Sequence, residues 1–397
     1  MIKIRYNIIF QILLAFLIFI INISYSPVFF DAEGNSIFPY KWIIELLAIL
    51  FLLLSILLSP PKAKFIWRYL LFAIIITAAV LLYYSLDLNV SLVEIREISI
   101  PFMALTAGSY INKCHNDYSS IRILIFVSIV STLIVGLLQI SLNIGGLIIN
   151  DLYLANSKNS LGGLLAVNAV LAALELFTIN KRKRSYTVFL SLSIIMFIIE
   201  LLTIRARLDL IACLVVLFIV YLRYLNYRKS NFKVIAAVVL TLLLLVLLSV
   251  NSIQDYVRSS FLQNKDYDVL SGRFERIEMA LEVISIRPFS GNLFILDYVP
   301  WVHNYLMLKI SSYGLLFGLP WIFFYLYFFS FIIRRLFRVR FISLASYGFY
   351  LALVPFVISL GEPTYPFGPG TVNYLPYLFL GFSVECMSSD NFDTIFS

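Results

Sequence analysis

Runs of about 20 apolar residues, long enough to cross about 30 Å of hydrocarbon as an α-helix, recur along the whole chain. Twelve are read, at roughly 6–23, 41–58, 69–86, 92–111, 122–141, 160–179, 186–204, 208–225, 234–250, 312–333, 342–360 and 371–387. In the fourth run Glu94, Arg96 and Glu97 crowd the start and Pro101 interrupts it. Of the 397 residues, 61% are hydrophobic and 13% charged, against about 45–50% and about 25% in soluble domains. Such a chain lacks the polar side chains to coat a water-facing shell, so lipid must solvate much of its surface. A soluble enzyme, a nucleic-acid binder and a secreted disulfide scaffold are excluded. The fold class expected is an all-α integral membrane protein of about twelve transmembrane helices, forming a single polytopic domain over 1–397.

Lysine and arginine set the orientation. They cluster at Lys3 and Arg5, at Lys62 to Arg68, at Lys113 and Arg122, at Lys181 to Arg184, at Arg223 to Lys233 and at Arg334 to Arg340. With the N-terminus cytoplasmic, every inner connection is then basic, as the positive-inside rule requires. Both termini are expected inside, and the first run is read as a retained span because it lacks a small-residue cleavage site. This pattern, rather than nucleic-acid binding, accounts for the net charge of +8. The one substantial soluble segment, 251–311, falls outside. Within it Phe274, Ile277, Leu281 and Ile284 recur at helical spacing, which predicts an amphipathic helix from Arg273 to Ile286 along the membrane interface.

Cys114, Cys213 and Cys386 are far apart, so neither a disulfide nor a zinc site is expected. No metal cluster, phosphate-cradling glycine loop or nucleophile elbow is present in the sequence, and neither metal nor cofactor is expected. Chemistry is sought instead among charges at the outer boundary, since an ionised side chain at the bilayer centre costs about 2.5–3.5 kcal/mol or more. Arg205, Arg207 and Asp209 sit in an I-R-A-R-L-D-L turn between the seventh and eighth runs. They form either a self-satisfied Arg–Asp pair at headgroup level or an anion site. Arg273 and Arg276 lie in S-G-R-F-E-R, either an exposed turn or guanidinium groups whose planar forks suit phosphate. W-V-H-N-Y-L carries His303 and Asn304 before the tenth run, with Trp301 and Tyr305 as rings suited to the interface or to stacking on sugar. An unperturbed imidazole titrates near about 6.5, so His303 is the proton acceptor on that face, or else a structural residue. His115 lies in a basic inner loop and reads as a bystander.

Taken in order, these pieces resemble the O-antigen polymerase and O-antigen ligase superfamily of bacterial envelope enzymes. The matching segments are N-S-K-N-S-L-G-G (Asn156 to Gly163), T-I-R-A (Thr203 to Ala206), S-G-R…R-P-F-S-G (Ser271 to Gly291) and H-N-Y-L…Y-G-L-L-F-G (His303 to Gly318). The likeness covers roughly 150–335. The chain departs from the family in carrying Ile277 near where Trp is common. The resemblance implies a glycosyltransferase-C-like fold with its large periplasmic loop before the tenth helix, in the bacterial inner membrane with the active site facing the periplasm. It also implies an undecaprenyl-diphosphate-linked oligosaccharide as both donor and acceptor. Arg205 and Arg273 would bind the diphosphate, and His303, paired with Asn304, would be the base or a cationic diphosphate ligand; Arg207, where the family pattern requires no arginine, and Arg276 are supporting candidates read from this chain alone. Membrane lipids and a chain-length regulator are the other partners implied; nucleic acid is not.

Two alternatives stay open. A ligase would move the glycan onto lipid A-core instead of a second lipid-linked unit; the short interval from Arg273 to His303 leaves little room for an acceptor platform and favours the polymerase. A flippase or transporter would also have many spans, but its charges belong near the midplane and its halves repeat, whereas here the charges lie at the outer rim and no repeat is seen.

Overall fold

The computed structural model describes residues 2–29, 40–84, 88–114, 119–144, 151–178, 183–204, 206–228, 273–292, 302–368 and 370–388. It is helical, with no strand among the described residues. The helices are α1 (Ile2–Ile23), α2 (Tyr40–Leu58), α3 (Lys64–Tyr83), α4 (Leu88–Cys114), α5 (Ser119–Ile144) and α6 (Asp151–Phe177). They continue with α7 (Arg184–Thr203), α8 (Arg207–Arg228), α9 (Arg273–Ile286), α10 (Tyr305–Arg338), α11 (Tyr347–Ile358) and α12 (Tyr374–Cys386). Six of the described helices, α3, α5, α6, α7, α8 and α10, are long and apolar enough to cross a membrane. The chain is a multi-pass membrane protein by this measure. The expected ninth run, 234–250, lies outside the described residues, as does most of the 251–311 segment.

Hydrophobicity alone does not say which helices face lipid; packing does. On α3, Leu71, Ile74, Ile75 and Leu82 are exposed, and on α7 Val188, Leu192, Ile195 and Ile199. A soluble protein could not leave such stripes uncovered, but lipid accepts them. By contrast α6 is buried from Leu161 to Leu174 along a run rich in alanine, the small residues that let membrane helices approach closely. It is held to α5 by Ser128, which donates to Asn168 Oδ1 at 2.7 Å, and α5 is held in turn to α1 by Asn22, which donates to Ser131 Oγ at 2.8 Å.

Three sequence expectations are refined. The fourth run is a continuous helix through Pro101, and its charges are matched rather than disruptive: Arg96 pairs with Glu45 of α2, while Glu94 and Glu97 both meet Lys309. The tenth element begins at Tyr305, well before the expected 312, and breaks at Gly314, whose φ of 64° is left-handed. Hydropathy missed its first seven residues because Lys309 and Ser311 dilute them. The eleventh element is shorter than expected, with a 3-10 turn at Leu344–Ser346 leading into α11.

Candidate functional site

Residues distant in sequence meet around the start of α10. The segment 359–373, between α11 and α12, is the meeting point. Ser359 O accepts from Tyr305 N at 3.2 Å, and Leu360 O accepts from the Asn304 amide at 3.2 Å. Asn304 also caps α10, its Oδ1 accepting from Met307 N at 3.1 Å. An N-cap side chain satisfies one of the helix's otherwise unbonded amides, so Asn304 fixes both the start of α10 and its attachment to the neighbouring turn.

His303 precedes that cap and is half-buried. Its Nε2 lies 2.8 Å from Arg276 Nη1, on the second turn of α9. Arginine has donors only, so the guanidinium donates and Nε2 accepts. That hydrogen bond takes the tautomer with its proton on Nδ1. Helix α9 occupies the stretch whose apolar spacing predicted it, and Arg276 emerges as the residue it delivers to His303.

The glycines of R-P-F-S-G and Y-G-L-L-F-G interlock. After α9 the chain turns at Gly291, φ 58°, and lies across the break in α10. Leu315 N donates to Pro288 O at 2.7 Å, Leu316 N to Phe289 O at 3.1 Å, and Asn292 N to Ser312 O at 3.1 Å. Tyr83 adds a hydrogen bond to Ser312 O at 2.5 Å. The peptide groups freed by the break in α10 are thus satisfied by the segment that follows α9, which ties the helix bearing Arg276 to the helix that His303 precedes.

Further along α10 lies a group the sequence reading did not assign. Lys309 is buried, with its Nζ 2.6 Å from Glu94 Oε2 and 2.9 Å from Glu97 Oε2. Glu94 and Glu97 share one face of α4, three residues apart. The ammonium also lies 4.1 Å from the Trp321 ring centroid, within cation–π range. Glutamates at i and i+3 in an apolar run, with a lone lysine just before another, were the available signal.

The glycine pair of N-S-K-N-S-L-G-G reaches the same region. A Cβ at Gly162 would come within 2.5 Å of Asp209 Oδ2, and one at Gly163 would overlap the Tyr365 hydroxyl. Helix α6 therefore packs directly on the start of α8 and on the 359–373 segment. Asp209 is buried there. Burial, and to a lesser degree the charge of Asp209, push the Tyr365 phenol well above its usual range. Tyr365 is a neutral hydroxyl buried in this junction.

No family model and no curated protein matches this chain. The assignment of a site rests on geometry. Arg276, His303 and Asn304 are brought together, and Arg207 opens α8 beside Ala206 and Asp209. Arg205 lies outside the described residues, and of Arg273 only the backbone, opening α9, is described. Trp301 is likewise outside. Tyr305 corrects the sequence reading: its ring is buried against Trp321, Tyr325 and Phe367 and is not offered to a sugar.

Proposed function

We propose that the chain is a metal-independent membrane glycosyltransferase, a polysaccharide polymerase of the O-antigen, capsule or exopolysaccharide type. It would transfer a polyprenyl-diphosphate-linked glycan onto the non-reducing end of another lipid-linked repeat unit, at the outer face of the inner membrane. The observation that carries this reading is the Arg276–His303 hydrogen bond of 2.8 Å at the start of α10. It joins a neutral imidazole, able to take a proton, to a guanidinium, able to bind diphosphate. The ordered motifs from Asn156 to Gly318 supply the substrate class.

In this reaction the acceptor hydroxyl oxygen bonds to the anomeric carbon as the carbon–oxygen bond to diphosphate breaks. The bonding pair leaves with the diphosphate, a good leaving group that needs no acid. The hydroxyl proton goes to His303 Nε2. That lone pair is occupied by Arg276 in the substrate-free protein, so donor binding would free it: the diphosphate draws the Arg276 guanidinium away, and Nε2 turns to the acceptor. A base placed this way contributes about 10²–10⁴-fold, and stabilising charge on the leaving group contributes as well. Arg205, Arg273 and Arg207 are the further guanidinium groups assigned to the diphosphate, and Asn304 holds His303 in register.

The deciding assay uses purified protein with lipid-linked repeat units, with and without lipid A-core. Glycan chains that grow on the polyprenyl carrier alone support the polymerase. Transfer only when lipid A-core is present replaces it with the ligase. Absence of transfer together with movement of single repeat units across proteoliposomes replaces it with a flippase.

A further inference from the structure

Polar side chains on one side of α5 are matched, through Asn22, Ser128, Ser131 and Asn168. Facing α7 the matching stops. Thr132 Oγ1, both amide atoms of Gln139 and both carboxylate oxygens of Glu200 are buried without a hydrogen-bond partner. Exposure of the three residues is 0% for Thr132, 1% for Gln139 and 1% for Glu200. Thr132, Gly136 and Gln139 are spaced four and three residues apart and so share one face of α5. The Glu200 carboxyl group, reaching across from α7, lies flat on Gly136, where any Cβ would overlap both its oxygens. Thr132 and Gln139 therefore stand one turn to either side of Gly136, on the face that the carboxyl group meets.

An ionised carboxylate in hydrocarbon without a counter-charge is among the costliest groups a protein can bury. We propose that Thr132, Gln139 and Glu200 form a binding site for one alkali-metal cation, of which Na⁺ is the probe. The donors, two carboxylate oxygens, an amide oxygen and a hydroxyl, are hard and uncharged apart from one negative charge. Hard oxygen sets suit alkali and alkaline-earth ions rather than transition metals. One carboxylate neutralises one charge, so a monovalent ion leaves the buried site neutral where a divalent ion would not. Glu200 stands one turn before the end of α7, which leads through a tight turn into α8. A bound cation would clamp α5 to that α7–α8 hairpin. The site is independent of the transferase reading.

The test uses the purified full chain in lipid nanodiscs. Uptake of isotopically labelled Na⁺ and thermal unfolding are followed in NaCl, KCl and choline chloride at equal ionic strength. The parent protein is expected to take up Na⁺ saturably at one ion per chain and to melt several degrees higher in NaCl than in choline chloride. Glu200→Gln, nearly isosteric, should abolish both effects, and Thr132→Val, which keeps the side-chain shape, should weaken uptake about tenfold. No saturable uptake by the parent, or uptake by Glu200→Gln and Thr132→Val equal to the parent's, overturns the proposal. So does a Glu200→Gln protein that gains stability while the parent melts alike in all three salts, because that behaviour belongs to a protonated carboxyl.

Discussion

Gly291 and Gly314 occupy each other's side-chain space: a Cβ on Gly291 would overlap the Gly314 amide nitrogen, and one on Gly314 would overlap Phe289 O. Both backbones are left-handed, at φ 58° and 64°. Alanine at either position therefore meets a conformational penalty of about 1–2 kcal/mol as well as a backbone clash. Gly314→Ala and Gly291→Ala should each lower the melting temperature of the detergent-solubilised protein and reduce transfer, with the double variant far from additive because both disturb one contact. Additive losses would mean that the two turns are independent.

The Arg276–His303 pair predicts a split in variant behaviour. His303→Ala should retain binding of lipid-linked donor while transfer falls about 10²-fold or more. Arg276→Ala should weaken donor binding instead. His303→Arg separates the two roles of the imidazole: a cationic diphosphate ligand would be replaced by it with activity kept, a base would not.

The pH dependence follows with its sign from the same bond. Accepting from Arg276, or from an acceptor hydroxyl, requires an unprotonated Nε2. Transfer should hold at higher pH and fall as pH drops through the imidazole range, with the loss absent in His303→Ala. A rate that rises on acidification would assign the imidazolium to diphosphate binding.

Lys309 predicts a stability effect. Lys309→Met leaves Glu94 and Glu97 facing one another without their cation, which in buried pairs costs about 3–5 kcal/mol. Combining it with Glu94→Gln and Glu97→Gln removes the uncompensated charge and should recover much of that loss. Unfolding temperatures in detergent read both, and a triple variant no better than Lys309→Met would show that the charges are not what couples α4 to α10.

Orientation can be read by thiol labelling in intact cells, in a background with Cys114 replaced by serine; Cys213 and Cys386 are buried. Ser285→Cys, on the exposed side of α9, should react with a membrane-impermeant reagent from outside. Arg340→Cys, beyond the end of α10, should react only after permeabilisation. The reverse pattern would invert the topology.

The helices were largely legible in the amino-acid order. Apolar runs of membrane length are a local property, and lipid rewards them wherever they fall, so α5, α6, α7 and α8 lie on the stretches that hydropathy marks. Helix α9 was legible by its spacing. Where a helix carries charge, hydropathy misleads: α10 begins seven residues earlier than its apolar run because Lys309 finds carboxylates elsewhere. His303, Arg276 and Asn304 were legible as residues, but not as partners. Tyr305 was misread because an aromatic beside His303 looks alike whether it faces sugar or core.

What the sequence by itself determined is the solvent and the class: a chain this apolar, with its basic residues grouped between spans, folds as helices in a membrane. Tertiary structure decided which polar groups meet. Arg276 and His303 are 27 residues apart in the chain, and Lys309 and Glu97 are 212 apart. No local rule relates such positions. Their pairing is set by the direction of each helix, the break at Gly314 and the close approach that glycine permits. In a low-dielectric interior an unmatched charge is costly, so it is the packing that determines which charges become partners.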